Sequence, residues 1–480
     1  MKIEELAIRE LYIKWAGIEP DSIDFLPASG SYRKYYRLKS VQYPVIGVFN
    51  EDQAENEAFF SFSKEFIRQG LPVPTLHAID PSGKFYLLSD LGDLTLFNYL
   101  SALRKDDSDF PEEITGIYKK VIGFLPVFQV EADKKLDYSK CYPRKVFDGQ
   151  SMMWDLNYFK YYFLKLAKVP FDEQKLEDDF HTLTQFLQQA GTEHFMYRDF
   201  QSRNVMLLHG KPWFIDYQGG RKGPLQYDIA SLLYDAKASI PEPVRNLLLK
   251  YYLDVLKNYI SVDGSAFDHY YYGFVLIRIL QAMGAYGFRG YYENKNHFLK
   301  SIPYAITNLQ YLLENKLIPL PLPALLDVLK KIIADFSFRS ERVTSRQLML
   351  KITSFSYKTG IPEDKSGNGG GFVFDCRALP NPGSYEEFLL SDGNDPAVRV
   401  FMEKEPEVRA FLNNAFSLVD QSLTRYIERG FTSLMVSFGC TGGQHRSVYC
   451  ASELAKHIRS KFDATIDLQH RELKNKMGKL

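Results

Sequence analysis

Two carboxylates and an amide, placed close together in one segment, constrain this chain more than any other feature of its sequence. Asp199 and Asn204 lie five residues apart in the run Tyr-Arg-Asp-Phe-Gln-Ser-Arg-Asn, and Asp216 follows in the run Phe-Ile-Asp-Tyr. Transfer of a phosphoryl group from ATP needs a carboxylate that accepts the proton of the acceptor hydroxyl, and oxygen ligands that hold Mg²⁺ on the phosphates. We predict that Asp199 is the catalytic base and that Asn204 and Asp216 are the metal ligands.

The residues between these side chains indicate how they come together. Two short apolar runs, 205–208 and 213–215, are separated by His-Gly-Lys-Pro, a pattern typical of a β-hairpin. Such a hairpin would bring Asp216 back beside Asn204. The alternative is an ordinary loop with a capping aspartate and an edge hairpin. That alternative does not explain why all three polar side chains occur together at spacings that fit one site.

The length and charge of the chain limit its class. With 480 residues, 45% of them hydrophobic, the sequence is long enough for two or three domains. Its 59 basic residues balance 59 acidic ones, so the net charge gives no reason to expect nucleic-acid or membrane binding. We expect a cytoplasmic protein, because the N-terminus has no apolar signal core and no run approaches the length of a membrane span. The four cysteines lack disulfide or zinc spacing and are expected to be reduced.

The first 92 residues have the order of elements expected for the small lobe of a kinase. Apolar spacing and turn residues predict a helix, a strand with a turn, a strand, a helix and a strand at 3–16, 24–37, 45–49, 54–69 and 85–88.

A mostly helical large lobe is expected from about residue 93 to 340. Helices are predicted at 251–260 and 274–283, and the glycine-rich residues 284–290 are expected to form a turn-rich interruption. A further helix is predicted at 325–336, after a proline-rich stretch. The charged residues that follow place the domain boundary near residue 340.

The remainder alternates between strands and helices. Strands at 348–357, 372–375 and 433–438 and a helix at 448–460 predict a parallel sheet. The expected fold is therefore an α+β bilobal protein-kinase-like fold in residues 1–340, followed by a smaller α/β Rossmann-like domain in residues 341–480.

Several motifs beside the catalytic segment occur in a recognisable order. Together with 197–207 and 215–217, the segments 30–37, 88–92 and 223–233 resemble the aminoglycoside phosphotransferase superfamily, and within it the anomeric cell-wall amino-sugar kinases. The resemblance covers about residues 20–310. It implies an enzyme that uses ATP and Mg²⁺ to phosphorylate the anomeric hydroxyl of N-acetylmuramate, N-acetylglucosamine or a similar sugar.

The nucleotide is expected to contact two segments of the small lobe. Glycine allows the backbone to approach phosphates closely, and basic side chains add positive charge. By resemblance, the connector between the lobes would offer backbone hydrogen bonds to adenine. The predicted nucleotide-binding residues are Gly30, Ser31, Arg33, Lys34, Ser89 and Leu91.

The strand at 45–49 carries no lysine where protein kinases pair one with the phosphates. We expect Arg33, Lys34 or Arg37 to replace it, with either Glu55 or Glu57 as the acidic partner on the following helix.

Other polar residues of the large lobe have predicted supporting roles. Asp228 is interpreted as a helix cap or a brace for the catalytic loop, and Arg198 as a cation that balances local negative charge. Candidates for substrate contacts, chosen by their chemistry, are Trp154, Asp155, Tyr158, Arg221 and Arg289.

A glycine-rich loop near the C-terminus is the second candidate site. It lies between a predicted strand and a predicted helix, where backbone N–H groups converge and Arg446 could clamp an anion. The predicted anion-binding residues are Cys440, Thr441, Gly442, Gly443, Gln444, His445, Arg446 and Ser447. The same spacing, Cys-x5-Arg-Ser, also fits the phosphate loop of cysteine phosphatases, in which Asp375 or His445 could act as acid or base. Cys376 is interpreted as a buried core residue.

The wider context of this loop favours another family. Residues 374–382, 439–449 and 470–472 resemble the C-terminal domain of the RapZ family of bacterial RNase adapter proteins, across about 346–475. The resemblance implies recognition of an amino-sugar phosphate, with RNA and an RNase as further partners. RapZ proteins carry a nucleotide-binding P-loop domain in front, whereas this chain has the kinase-like region there.

Three functions therefore stay open at this stage. The first is an amino-sugar kinase whose second domain binds a related sugar phosphate. The second is a metabolite-responsive RNA or RNase adapter with a non-catalytic kinase lobe, for which the basic tail (Arg471, Lys474, Lys476 and Lys479) is the sequence hint. The third is a bifunctional kinase and cysteine phosphatase.

Overall fold

The computed structural model describes residues 3–26, 32–104, 106, 110–293, 295–345, 348–364, 366–367, 370–428, 431–462 and 464–473, without the side chains of 296–297, 337–345 and 428. The chain divides into two compact units, residues 1–336 and 337–480. No helix in the described ranges combines the length and the apolarity needed to cross a bilayer.

The first unit begins with a small lobe built on an antiparallel sheet. Its elements are α1 (Ile3–Ala16), β1 (Ser22–Phe25), β2 (Lys34–Lys39), β3 (Val45–Phe49), α2 (Gln53–Arg68), β4 (Leu76–Ile79) and β5 (Phe85–Ser89). The five strands have the order β1-β2-β3-β5-β4. Helix α2 begins where Asp52 accepts a hydrogen bond from Glu55 N. It buries Phe59, Phe62 and Phe66 on one face.

A larger, mainly helical lobe follows. Its elements are α3 (Leu96–Leu103), α4 (Glu112–Pro126), α5 (Gly149–Phe159), α6 (Glu173–Leu187), β6 (His194–Met196), β7 (Val205–Leu208), β8 (Lys211–Phe214), β9 (Arg221–Gly223), α7 (Leu225–Leu233), α8 (Glu242–Leu256), α9 (Gly264–Gly287), α10 (Asn296–Leu299), α11 (Ile302–Glu314) and α12 (Pro323–Ser345). The small hairpin β7–β8 and the pair β6–β9 frame the catalytic segment. Helix α12 continues beyond the predicted end at residue 336.

The prediction of a turn-rich interruption at 284–290 is wrong. Helix α9 runs on to Gly287 and continues as a π-helix from Phe288 to Tyr292. A Cβ atom at Gly287 would lie 2.0 Å from Tyr162 O, and one at Gly284 would lie 2.8 Å from Phe159 N. These glycines therefore allow α9 to pack closely against the backbone of α5 and of the segment after it, rather than breaking the helix.

The second unit contains a parallel four-stranded sheet. Its elements are β10 (Met349–Ser356), β11 (Gly371–Asp375), α13 (Pro396–Lys404), α14 (Pro406–Glu428), β12 (Ser433–Cys440), α15 (Arg446–Lys461) and β13 (Thr465–His470). The strand order is β11-β12-β10-β13, and all three pairings are parallel. Strand β12 is buried along its whole length, as expected for an inner strand of a parallel sheet. The predicted α/β fold of this region is confirmed.

Candidate active site

The hairpin β7–β8 brings the three predicted catalytic and metal-binding side chains together. Val205 pairs with Phe214 at its open end, and Ile215 N donates to Asn204 O at 3.1 Å. Asn204 Nδ2 then donates to Asp199 O (2.9 Å) and to Asp216 Oδ2 (3.3 Å). Because the amide nitrogen faces these oxygens, Oδ1 is the atom that Asn204 would offer to a cation.

Asp216 is held in an unusual conformation. Its φ angle is +68°, a left-handed value that costs energy for a residue with a Cβ atom. Gln218 Nε2 donates to Asp216 Oδ1 at 2.7 Å and fixes the direction of the carboxylate. Gln218 is not among the predicted site residues, although its position two residues after Asp216 is a signal in the sequence.

Asp228 acts as the brace of the catalytic loop. Its carboxylate is fully buried and accepts hydrogen bonds from Tyr197 N (2.8 Å), Arg198 N (2.9 Å) and Gln129 Nε2 (3.1 Å). Burial raises the pKa of Asp228 to about 7, although these donors act in the opposite direction. The N-cap of α7 is Pro224, so the brace interpretation is confirmed and the cap interpretation is wrong.

Arg198 balances a neighbouring carboxylate, as predicted. Its guanidinium donates to both oxygens of Asp155, at 2.6 and 2.7 Å, and to the Tyr227 hydroxyl at 2.7 Å. Asp155, a candidate for a substrate contact, is therefore a buried structural partner of the catalytic loop instead. Two further candidates also contact neighbouring residues: the Trp154 ring packs against Arg144, and Arg221 Nε donates to Gly219 O at 2.9 Å.

Asp199, Asn204 and Asp216 line a cleft of about 920 Å³ between the two lobes. Strand alternation decides which residues at the start of β2 reach it. Arg33, Tyr35 and Arg37 line the cleft. Lys34 is directed to the other side of the sheet, where its ammonium contacts Glu4 and lies 5.4 Å from the Phe49 ring. The structure does not bring Lys34 to the predicted nucleotide site, and Gly30 and Ser31 lie outside the described residues.

A buried arginine forms an ion pair at the cleft. Arg33 is 4% exposed, and its Nη2 lies 3.3 Å from Glu55 Oε2 inside the cleft. Glu57 instead pairs with Lys140 at 3.0 Å, and both of those side chains are largely exposed. Of the two glutamates that the sequence left open, Glu55 is therefore the one beside the cleft.

The connector between the lobes forms one end of the cleft. Ser89 and Leu91 both line it, as the sequence predicted for an adenine contact. Ser89 N donates to Thr75 O at 3.0 Å, so the carbonyl is the backbone group that Ser89 would offer to a ligand. Arg37 holds the connector through Asp90, with Nε 2.7 Å from Oδ2.

The opposite side of the cleft is formed by the large lobe. The residues that line it there are Tyr158, Arg278, Gln281, Ala282, Ala285, Tyr286, Arg289 and Phe298. Tyr158 and Arg289 are among the residues predicted from the sequence. Arg278 is not, because an arginine inside a long apolar helix has no local signal of function. Hydrogen bonds from Arg289 lower the pKa of Glu293 to about 2.

The glycine-rich loop of the second unit folds around Cys440. The thiol is 3% exposed, accepts from Gly443 N at 3.2 Å and lies 3.2 Å from Ser447 Oγ. Gly443 has a φ of +67°, and a Cβ atom there would lie 2.8 Å from Ser356 N. The loop thus needs glycine at this position both for its backbone conformation and for its close contact with β10.

Arg446, predicted as an anion clamp, has one guanidinium nitrogen engaged by backbone carbonyl groups. Its Nη1 donates to Arg377 O (2.7 Å) and to Leu379 O (3.0 Å), and the side chain is buried. It therefore ties the start of α15 to the segment after β11. His445 Nε2 similarly contacts Phe388 O at 2.9 Å.

The other predicted residues around this loop are also engaged. Asp375, proposed as an acid or base, pairs with Arg377 at 2.6 Å. Cys376 is fully buried, as predicted. Arg471 donates to Gly360 O at 2.9 Å, while Lys474, Lys476 and Lys479 of the predicted basic tail lie outside the described residues.

Comparison with known proteins identifies both units. Residues 26–262 match the phosphotransferase enzyme family, and residues 348–474 match the RapZ C-terminal domain. The first unit is thus similar to phosphotransferase enzymes over residues 26–262, and the second is similar to the RapZ C-terminal domain over residues 348–474.

Individual relatives match parts of the chain. A nucleotide-binding protein of Xylella fastidiosa (strain M12) is 41% identical over 129 residues, which are 27% of this chain and 43% of that protein. One from Idiomarina loihiensis is 37% identical over 142 residues, covering 28% and 48%. The chain spans less than half the length of these curated relatives. A choline kinase from Cryptosporidium parvum Iowa II is similar in structure, with a TM-score of 0.46, 13% identity, and coverage of 66% of this chain and 98% of that one.

Proposed function

We propose that residues 1–340 form an ATP-dependent kinase that phosphorylates a sugar hydroxyl, namely the anomeric hydroxyl of an N-acetylated amino sugar. The observation that carries this proposal is the convergence of Asp199, Asn204 and Asp216 in one cleft with the Arg33–Glu55 pair. Those residues supply a proton acceptor, oxygen ligands for a cation and a buried positive charge. These are the components that phosphoryl transfer requires.

The residues present fit Mg²⁺. Asp216 offers carboxylate oxygens and Asn204 an amide oxygen, and hard cations such as Mg²⁺ prefer oxygen ligands. When bound with ATP, the metal would neutralise charge on the phosphates. Asn204 and Asp216 would hold it, and Gln218 would keep the Asp216 carboxylate in position.

Asp199 would orient the acceptor hydroxyl and accept its proton. Its side chain is 35% exposed, so the carboxylate is accessible from the cleft. An anomeric hydroxyl is more acidic than an ordinary sugar alcohol and therefore needs a weaker base.

The lining of the acceptor side supports a sugar without ammonium groups. In the described residues, the large-lobe helices there contribute arginine, tyrosine, glutamine, alanine and phenylalanine side chains, and no carboxylate. A polycationic acceptor would gain little from such a surface, whereas hydroxyl and acetamido groups can hydrogen-bond to it.

A coupled assay of ADP release tests the proposal. The purified protein is incubated with Mg²⁺ and ATP together with N-acetylglucosamine, N-acetylmuramate, glucosamine or a polycationic aminoglycoside. We expect turnover with an N-acetylated sugar and its loss in Asp199→Asn. The absence of sugar-dependent ADP release would refute the proposal.

For the second unit, we propose binding of a sugar phosphate at the loop of residues 440–445. Because Arg446 is engaged with carbonyl oxygens, backbone N–H groups would provide the contacts rather than an arginine clamp. Gly442 offers a sharp test, since a Cβ atom there would have no neighbour within 4 Å. Gly442→Asp should abolish the thermal stabilisation by glucosamine 6-phosphate, while Gly442→Ala should retain it. Equal stabilisation of both variants would contradict this site.

Two alternatives are separated by further assays. Hydrolysis of an aryl phosphate that is lost in Cys440→Ser would establish a cysteine phosphatase. The match of residues 348–474 to the RapZ C-terminal domain favours an adapter as the second candidate function. Retardation of RNA at physiological salt, weakened by charge reversal at Lys474, Lys476 and Lys479, would support that function.

A further inference from the structure

Arg278 is a buried cation at the proposed catalytic base. It lies in the middle of α9, and its side chain is 7% exposed. In the described part of the chain its one ion pair is with Asp199, whose Oδ1 lies 3.6 Å from Arg278 Nη2. The guanidinium also lines the cleft.

The guanidinium is fixed from two further directions. Its Nε donates to Ser231 Oγ at 2.9 Å, and its Nη1 contacts Gln281 Oε1. Ser231 lies on α7, the helix that also carries the brace Asp228. The same helix therefore holds the backbone directly before Asp199 through Asp228, and it holds the cation beside the Asp199 carboxylate through Ser231.

Burying a charged group at this position costs free energy, and the packing of the helix does not by itself require an arginine there. Burial of a cation is unfavourable unless a counter-charge and hydrogen-bond partners are present. In the turn of α9 that precedes Arg278, the same face is apolar, with Phe274 and Val275 buried. An apolar residue would stabilise such a helix at least as well, so the arginine needs another reason.

We propose that Arg278 is the positioning residue of Asp199: it attracts one carboxylate oxygen and leaves the other to accept the proton of the acceptor hydroxyl. This inference rests on the proposed function of Asp199. A guanidinium stays protonated and cannot itself act as acid or base, so the role is orientation and charge balance. A displacement of the reactive group by about 1 Å is enough to reduce a rate by about 100-fold.

The first test separates catalysis from folding. We expect Arg278→Met to lower kcat by about 100-fold while KM for ATP changes by less than about threefold. Arg278→Lys, which keeps the charge but not the planar fork, should recover part of that loss. The matched control is Arg245→Met, because Arg245 is a buried arginine of the same lobe that packs between Tyr234 and Tyr311. Its kcat should stay near the wild-type value.

The second test does not depend on activity. Asp199→Asn should lower Tm in the wild-type background, because it leaves a buried guanidinium without its carboxylate. In the Arg278→Met background the same substitution should lower Tm by less than half as much.

The two possible failures are distinguishable. If the wild type transfers no phosphoryl group to any acceptor, the proposed kinase function fails. If the wild type is active but Arg278→Met keeps kcat within about threefold, or Asp199→Asn lowers Tm equally in both backgrounds, the inference about Arg278 is wrong.

Discussion

Substitution of Asp228 by asparagine tests how the catalytic loop is held. The carboxylate binds three donors with two oxygens: Oδ2 accepts from Tyr197 N and Gln129 Nε2, and Oδ1 accepts from Arg198 N. An asparagine has one acceptor oxygen and places an N–H₂ group at the other position. In the more favourable of its two amide orientations, the asparagine oxygen still accepts hydrogen bonds from Tyr197 N and Gln129 Nε2, and its N–H₂ group faces Arg198 N.

The expected cost follows from those contacts. One buried N–H group loses its acceptor, which costs about 1–3 kcal/mol. Above a pH of about 7, where the carboxylate is ionised, the two remaining hydrogen bonds change from a charged to a neutral acceptor, and each weakens by about 0.5–1 kcal/mol. The free energy of unfolding should therefore fall by roughly 2–5 kcal/mol. Because Arg198 directly precedes Asp199, we also expect kcat to fall by about 100-fold at temperatures well below Tm.

Urea unfolding followed by circular dichroism measures the first effect, and ADP release with saturating sugar and ATP measures the second. Asp172→Asn is the control, since Asp172 is the exposed N-cap of α6 and asparagine caps a helix equally well. That variant should differ from the wild type by less than about 0.5 kcal/mol. If Asp228→Asn also stays within 0.5 kcal/mol and keeps its kcat, the proposed brace has no energetic importance.

Three further predictions use matched pairs or the pKa of a single group. Glu55→Gln should raise KM for ATP at least about tenfold by removing the partner of buried Arg33, whereas Glu57→Gln should leave it unchanged; equal effects would contradict the assignment. Gly287→Ala should lower the free energy of unfolding by at least about 3 kcal/mol, because its Cβ would lie 2.0 Å from Tyr162 O. Gly116→Ala in α4, whose Cβ would have no neighbour within 4 Å, should raise the free energy of unfolding by about 0.4–1 kcal/mol. A tolerated Gly287→Ala would show that α9 is not so closely packed. The pKa of Asp228 is raised to about 7, so the folded state binds its proton more tightly than the unfolded chain. The wild-type free energy of unfolding should then decline as pH rises from about 4 to about 7, relative to Asp228→Asn; a constant difference between the two proteins would exclude this titration.

Much of the architecture was predictable because it is encoded by local spacing. Residues within about twenty positions of one another define three of its parts. These parts are the predicted catalytic segment at 197–207, the hairpin that returns Asp216 to Asn204, and strand β3. Apolar alternation and turn residues act over that distance, so the kinase-like fold and the parallel sheet followed from the sequence. The same alternation could have shown that Arg33 and Lys34 lie on opposite sides of β2.

Other features depend on contacts between distant parts of the chain. Glycines at 284 and 287 indicate a turn by composition, and only the neighbouring backbone of α5 shows that they permit close packing. Arg446 has the spacing of an anion clamp, yet its guanidinium is engaged by carbonyl oxygens of residues about seventy positions earlier.

The sequence by itself determined which groups are available for chemistry: a candidate base, two candidate oxygen ligands and a glycine-rich loop, each defined by residue type and short-range spacing. Only the tertiary structure decided which charged side chains reach the cleft. It selected Glu55 over Glu57 and brought Arg278 from α9 to Asp199. The physical reason is that a side chain's partner depends on which helices and strands pack together, and that packing minimises buried unpaired charge over the whole domain rather than over any one segment.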